Sequence, residues 1–244
     1  MREYAEKSPL LGVLGGMGPE ATEVFYRHLI RRTRAGSDQE HLRVLIYGDS
    51  TIPDRTAAIL SGDTAEVEAR LAQDAQTLER AGCTLLAMTC NTAHHFAPAI
   101  ERAVGIPLLH MPELAVRRAK EKGVRCAALL STQGAITAGV YQTICRREGL
   151  DFQTPDAETQ QWLTEIIYGQ IKAGGHGDAR LFARVDEKIR AAGCDGAILG
   201  CTELSVYRAF HAPDDFYIDA MDVLAEACIR ACGGTLRDDG EVTA

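Results

Sequence analysis

Short apolar runs alternate along the chain with stretches in which apolar residues recur every three or four positions. That is the pattern of strands alternating with amphipathic helices in βαβ units, which build parallel sheets. LLGVLGG (10–16) reads as a strand running into a glycine loop. Pro19 then suits the first turn of a helix whose buried face is Ala21, Val24, Phe25 and Leu29. RVLIYG (43–48) is the next strand, and Val67, Leu71, Ala75 and Leu78 keep helical spacing up to a stop at Gly82. TLLAMT (84–89) is a buried-type strand that ends at Cys90, and PLLHM (107–111) a short one. The cycle then resumes with a helix to Lys122, a stop at Gly123, strand VRCAALL (124–130) and a helix over 136–148 stopped by Gly149. A helix near 157–173 gives way to the glycine-rich break AGGHGD (173–178). A further helix leads to strand GAILG (196–200), which ends at Cys201.

An internal repeat organises this string. ERAGCTLLAMTCNT (79–92) and RAAGCDGAILGCTE (190–203) share Ala-Gly-Cys, then six residues, then a second Cys and a polar pair. Upstream, GVLGGMG (12–18) and ALLSTQG (128–134) are both strands running into polar, glycine-bearing loops. The predicted class is α/β, with two pseudo-symmetric Rossmann-like domains, parallel sheets and a ligand cleft between them. The expected boundaries are 1–111, with 218–244 returning to it, and 112–217. Ligands in open α/β sheets collect at the C-terminal ends of strands, so the repeat puts Cys90 and Cys201 on opposite walls of one cleft. Cys83 and Cys194 are equivalent by the same logic, but they begin strands and read as core.

Composition narrows the function without naming it. The 244 residues are 46% hydrophobic and 25% charged, ordinary for a soluble globular enzyme. A net charge of −8 argues against a nucleic-acid binder, which needs clustered cations, but leaves an anionic substrate open. No apolar run reaches membrane-span length, and MREYAEKSPL (1–10) lacks the apolar core of a signal peptide. Eight cysteines in a chain too long to need disulfides read as reduced thiols in the cytoplasm.

The cysteine pair carries the chemistry. A lone Cys is usually inert core, but a strand-end Cys occurring twice, at repeat-related places before a polar pair, points to function. Backbone N–H groups and a following helix N-terminus can stabilise a thiolate there. Two such groups facing one another suit inversion of a stereocentre, which needs a base on one face and an acid on the other.

GGMGPEAT (15–22), IPDRT (52–56), CNTAH (90–94) and GCTEL (200–204) resemble the signatures of the aspartate/glutamate racemase superfamily, most of all its aspartate racemase branch. The matches run in order from residue 12 to about 219. The resemblance implies two similar α/β domains, catalytic Cys90 and Cys201, and no pyridoxal phosphate or metal. It also implies that Met17 lies in the substrate loop and that Arg55 binds a substrate carboxylate. Asn91, Thr92, Thr202 and Glu203 would hold the carboxylate or ammonium, and Lys172 would grip a second carboxylate. Where the branch commonly has a second threonine after strand 124–130, this chain has Ala135, with Ser131, Thr132 or Gln133 available to compensate. Each role has a plainer alternative: a solvated loop cation for Arg55, a helix-end lysine for Lys172, a helix-start acid for Glu203. The implied partner is a small amino acid, aspartate ahead of glutamate, with no nucleic acid or membrane; a homodimer is left open. A dicarboxylate isomerase or decarboxylase on the same scaffold, or a non-catalytic amino-acid-binding module, are the competing functions.

Two weaker patterns lose to this reading. Gly16, Gly18 and Ala21 satisfy a dinucleotide-binding spacing, but Met17 and Pro19 crowd the loop and Asp49 comes late for the ribose acid. Cys90, His94 and Cys201 could in principle ligate zinc, yet no dense ligand cluster supports them. His94 and His95 are expected to cap, pack or line the cleft, and Trp162 to join the core.

Overall fold

The computed structural model describes residues 8–237. The opening MREYAEK and residues 238–244, which fall in the expected first domain, lie outside the described residues. The first half runs β1 (Leu10–Gly15), α1 (Pro19–Arg32), β2 (Arg43–Gly48), α2 (Arg55–Ser61), α3 (Ala65–Arg80), β3 (Leu85–Met88), α4 (Ala97–Ala103), β4 (Leu108–Leu109) and α5 (Met111–Glu121). The second continues with β5 (Cys126–Ser131), α6 (Gln133–Thr137), α7 (Val140–Glu148), β6 (Asp151–Gln153), α8 (Ala157–Thr164), α9 (Ala179–Ala191), β7 (Gly196–Gly200), α10 (Thr202–His211), β8 (Tyr217–Asp219) and α11 (Ala220–Ala231).

Two four-stranded parallel sheets result, ordered β2-β1-β3-β4 and β6-β5-β7-β8. The sequence repeat is thus a topological repeat, with β3 and β7 in corresponding places. Central strands are apolar throughout because helices cover both faces of a parallel sheet. Leu11 pairs with Val44 and Leu85, and Ala127 with Phe152 and Gly196. Cys83 and Cys194 are buried just ahead of β3 and β7, and all eight cysteines are free thiols.

The last helix of each half packs on the other half: α5 on α7, α11 on α1, and the two on each other. Glu226 of α11, 4% exposed, accepts from Arg32 of α1 and from Arg118 of α5, the latter at 2.7 Å. One buried carboxylate therefore ties three helices from both halves. β8 straddles the expected boundary between 217 and 218, and all of it pairs with the second sheet.

Three expectations need correction. The helix expected over 136–148 is two helices, because Gly139 takes a left-handed φ of 68° and starts α7 anew. The helix near 157–173 ends as α8 at Thr164 and continues as a π-helical turn, Glu165–Ile171, in which the Lys172 N–H reaches Ile167 O at 3.0 Å. Trp162 is only half-buried, with the Arg184 guanidinium 3.9 Å above its ring. Among the described residues no helix is long and apolar enough to cross a membrane.

Candidate active site

The C-terminal ends of the central strands point into the space between the halves. Met17 follows β1, Cys90–Thr92 follow β3, Thr132 follows β5, and Cys201–Glu203 follow β7. Together with Arg55 and Lys172 they line one cavity, so all ten residues singled out in the sequence converge there. The halves are bonded across it by Thr92 and Thr132 hydroxyls 2.9 Å apart, by Tyr141 OH donating to Asn91 Oδ1, and by Tyr168 OH donating to Thr56 Oγ1 at 2.9 Å. α2 and α6 approach so closely that a side chain at Gly134 would sit 2.7 Å from the Thr56 backbone.

On the Cys90 wall the chain enters a five-residue 3₁₀ turn, Thr92–Phe96, rather than the α-helix expected directly after the thiol. His94 staples this turn. Its Nδ1 donates to Cys90 O at 2.8 Å, and its Nε2 accepts the Met111 N–H at 3.2 Å, the first residue of α5. Both ring nitrogens are thereby committed to backbone, which leaves none to bind zinc beside Cys90. Burial, with His110 nearby, pushes the His94 pKa down to about 3, so the imidazole is neutral.

Arg55 stands beside the Cys90 sulfur. Asp54 caps α2 by accepting the Ala57 N–H at 2.8 Å, which fixes Arg55 in the first turn. The guanidinium donates to Ile52 O and Pro53 O at 3.1 Å and to Met17 O at 3.3 Å. Among the described residues it has no carboxylate ion-pair partner, and its buried Nε lacks a hydrogen bond. Burial works against its charge, but the Cys90 sulfur and Asp54 outweigh it, and the pKa rises. Asn91 Nδ2 is likewise buried without a partner. Two orphaned donors beside one thiol are what an anionic ligand group would satisfy.

The Cys201 wall is built oppositely. Cys201, 4% exposed, is the N-cap residue of α10, and its Sγ donates to Glu203 Oε2 at 2.9 Å. Burial and the Glu203 carboxylate push the Cys201 pKa well above that of an ordinary thiol, with Lys172 opposing. Lys172 Nζ binds the other Glu203 oxygen at 2.7 Å. Burial opposes the Lys172 charge, but Glu203 and Cys201 favour it and the pKa rises.

Sequence reasoning missed Asp54, Thr56 and Tyr168, which also line the cavity, and Tyr141, which orients Asn91. Asp54 and Thr56 flank Arg55 within the motif already noted, and Tyr168 lies four residues before Lys172, a helical spacing that puts both on one face. Burial pushes the Tyr168 phenol up to about 12. Of the candidates to replace the missing threonine, Thr132 reaches the cavity. The Ser131 hydroxyl is spent on Gly200 O, and Gln133 is exposed.

The model of the Asp/Glu/Hydantoin racemase family matches residues 14–228. The broad specificity amino-acid racemase RacX of Bacillus subtilis (strain 168) is 26% identical over 226 residues, 90% of this chain and 96% of that protein. Among solved structures, Picrophilus torridus aspartate racemase superposes with a TM-score of 0.80 at 28% identity, covering 96% of this chain and 98% of its own. An aspartate racemase homologue from Pyrococcus horikoshii OT3 gives 0.74 at 26% identity, over 93% and 100%. The chain belongs to the Asp/Glu/Hydantoin racemase family, as an amino-acid racemase of the aspartate/glutamate type.

Proposed function

We propose that this racemase inverts an acidic amino acid, aspartate ahead of glutamate, by two-base proton transfer between Cys90 and Cys201 without a cofactor. The observation that carries the reading is the opposite charge of the two thiol walls around one cavity, a guanidinium at Cys90 and a carboxylate at Cys201. The substrate α-carboxylate binds Arg55, whose planar fork suits bidentate pairing, and takes up the orphaned Asn91 donor. Glu203 accepts from the α-ammonium, and Lys172 pairs with the side-chain carboxylate.

The Cys90 thiolate removes the α-proton and becomes a thiol, while the C–H electron pair passes to the α-carbon and is delocalised into the carboxylate on Arg55. The Cys201 thiol then donates its proton to the opposite face and becomes a thiolate. Starting from the other enantiomer, the roles exchange. Arg55 faces more negative charge in the transition state than in the ground state, so its contribution is catalytic as well as to binding. The eight free thiols support a reducing, cytoplasmic setting.

A dicarboxylate isomerase or decarboxylase would have no ammonium for the buried Glu203 to receive. Pure enzyme incubated with L-aspartate in D₂O separates the readings. The racemase yields D-aspartate with one solvent deuterium at the α-carbon, at a rate unaltered by exhaustive chelation. Release of CO₂, or unlabelled substrate after long incubation, contradicts the proposal.

A further inference from the structure

The thiol cavity is almost full. Only about 10 Å³ of it is open to the centre of a water molecule, room for about one water and not for an amino acid. Against it lies a second, outer cavity of about 310 Å³ by the same measure. Four residues line both: Met17, Arg55, Lys172 and Glu203. They form the partition, and something in it must move before any substrate reaches the thiols.

The four are not equally movable. Arg55 is bonded to three backbone carbonyls, one of them that of Met17, which is itself 2% exposed. The Glu203 side chain is 5% exposed and bonded to Cys201 and Thr202. Lys172 is different. Its side chain is 24% exposed, and its ammonium, 5.5 Å from the centre of the Tyr168 ring, is held by Glu203 alone among side-chain hydrogen bonds and ion pairs of the described residues. It closes the π-helical turn, immediately before a segment where Gly174 and Gly177 have left-handed φ values of 92° and 83°. The movable panel is thus a lysine on a flexible stem.

The space behind the panel has a chemistry of its own. Apolar Pro19, Ala21, Ile171 and Val206 share the lining of the outer cavity about equally with polar groups, the exposed Ser50 and Glu20 at its rim among them. We infer that the outer cavity is a side-chain subsite for unbranched, uncharged amino acids longer than aspartate, reached when Lys172 leaves Glu203. With aspartate the ammonium moves off Glu203 only far enough to admit the substrate, and then rests on the substrate's side-chain carboxylate. With a long apolar side chain it swings out, and the chain passes between Met17 and Glu203 into the outer cavity. Lys172 is then the residue that decides substrate range, an inference resting on the racemase reading above.

The test is kcat/KM for aspartate, alanine, norvaline and norleucine with the wild type and with Lys172→Ala. Removing the panel is expected to raise the norleucine-to-alanine ratio at least tenfold and to lower aspartate relative to alanine. Adding Ser50→Trp at the exposed rim should return the ratio towards the wild-type value; ratios cancel any general loss of activity. If Lys172→Ala changes norleucine and alanine by the same factor, or if Ser50→Trp leaves the raised ratio intact, the outer cavity is an access path and the subsite is overturned. If the wild type racemises none of the four, the racemase reading itself fails and takes this inference with it.

Discussion

The walls around Cys90 and Cys201 descend from the same stretch of repeat and sit on corresponding strands of identically ordered sheets. Their surroundings nonetheless differ in charged groups and in local backbone. Cys90 lies two residues before a 3₁₀ turn stapled by a buried histidine and faces a guanidinium. Cys201 begins a ten-residue helix directly and faces a carboxylate two residues on, which is itself paired with a lysine. Backbone symmetry delivers one sulfur to each side of the cavity, and the side chains then make the two walls unlike. On the Cys201 wall, burial and the carboxylate accepting from the S–H favour the thiol.

Removing either sulfur breaks the comparison outright. Cys90→Ala and Cys201→Ala are each expected to cut racemisation of aspartate by about a hundredfold or more, the scale of a lost positioned acid or base. Progress curves followed by polarimetry measure this.

Arg55→Lys tests whether the Cys90 wall needs a fork or merely a charge. A lysine ammonium keeps the charge near the sulfur but cannot pair bidentately with the α-carboxylate. kcat/KM is expected to fall about tenfold or more, with kcat contributing, because the contact strengthens as charge develops. A change confined to KM would make Arg55 a binding residue only.

Glu203→Gln sharpens the contrast from the other wall. Glu203 raises the Cys201 pKa by its charge and by its hydrogen bond, while Lys172 lowers it. Losing the carboxylate removes part of the raising influence and leaves burial against the lysine, so the Cys201 thiol deprotonates at lower pH. The direction that uses Cys201 as acid should lose its alkaline limb earlier. The direction that uses it as base should gain at that pH. Rate profiles for both enantiomers between pH 7 and 10 decide it.

The smallest effect concerns the staple. His94→Gln is expected to cost about 1–3 kcal/mol of stability at pH 7, since the Cys90 carbonyl and the Met111 N–H are buried. The wild-type His94 pKa near 3 lies below the ordinary 6.5, so its contribution is complete above pH 6.5 and drains away as pH falls towards 3. Denaturant midpoints at pH 7 and pH 4 should therefore converge between wild type and variant. No counterpart is expected on the Cys201 wall, where α10 needs no staple.

Much of this was legible before the structure. Apolar runs fixed by burial in a parallel sheet are hard to mistake, and a repeat of two strand-end cysteines locates a cleft by topology alone. What escaped the sequence depends on contacts between halves or on very short elements. Three-residue β6, with its exposed Asp151 and Gln153, has too little apolar signal to find. Gly139 looked tolerable inside a helix until its φ proved left-handed. Nothing local in the sequence says that the Tyr141 and Tyr168 hydroxyls reach Asn91 and Thr56 in the other half. Glu203 could be read as a helix-start acid or as a ligand. Only its fold-back onto Cys201, with Lys172 on the second oxygen, shows that it charges one wall against the other.

The central claim is that each thiol serves one face of the substrate, and isotope exchange in the single-cysteine variants tests it most directly. Cys90→Ala and Cys201→Ala are each incubated in D₂O with L-aspartate and with D-aspartate, and α-deuterium is measured alongside inversion. The account predicts that each variant exchanges the α-proton of one enantiomer without inverting it, and that the two variants choose opposite enantiomers. Exchange of the same enantiomer by both variants, or full racemisation by either, would contradict it.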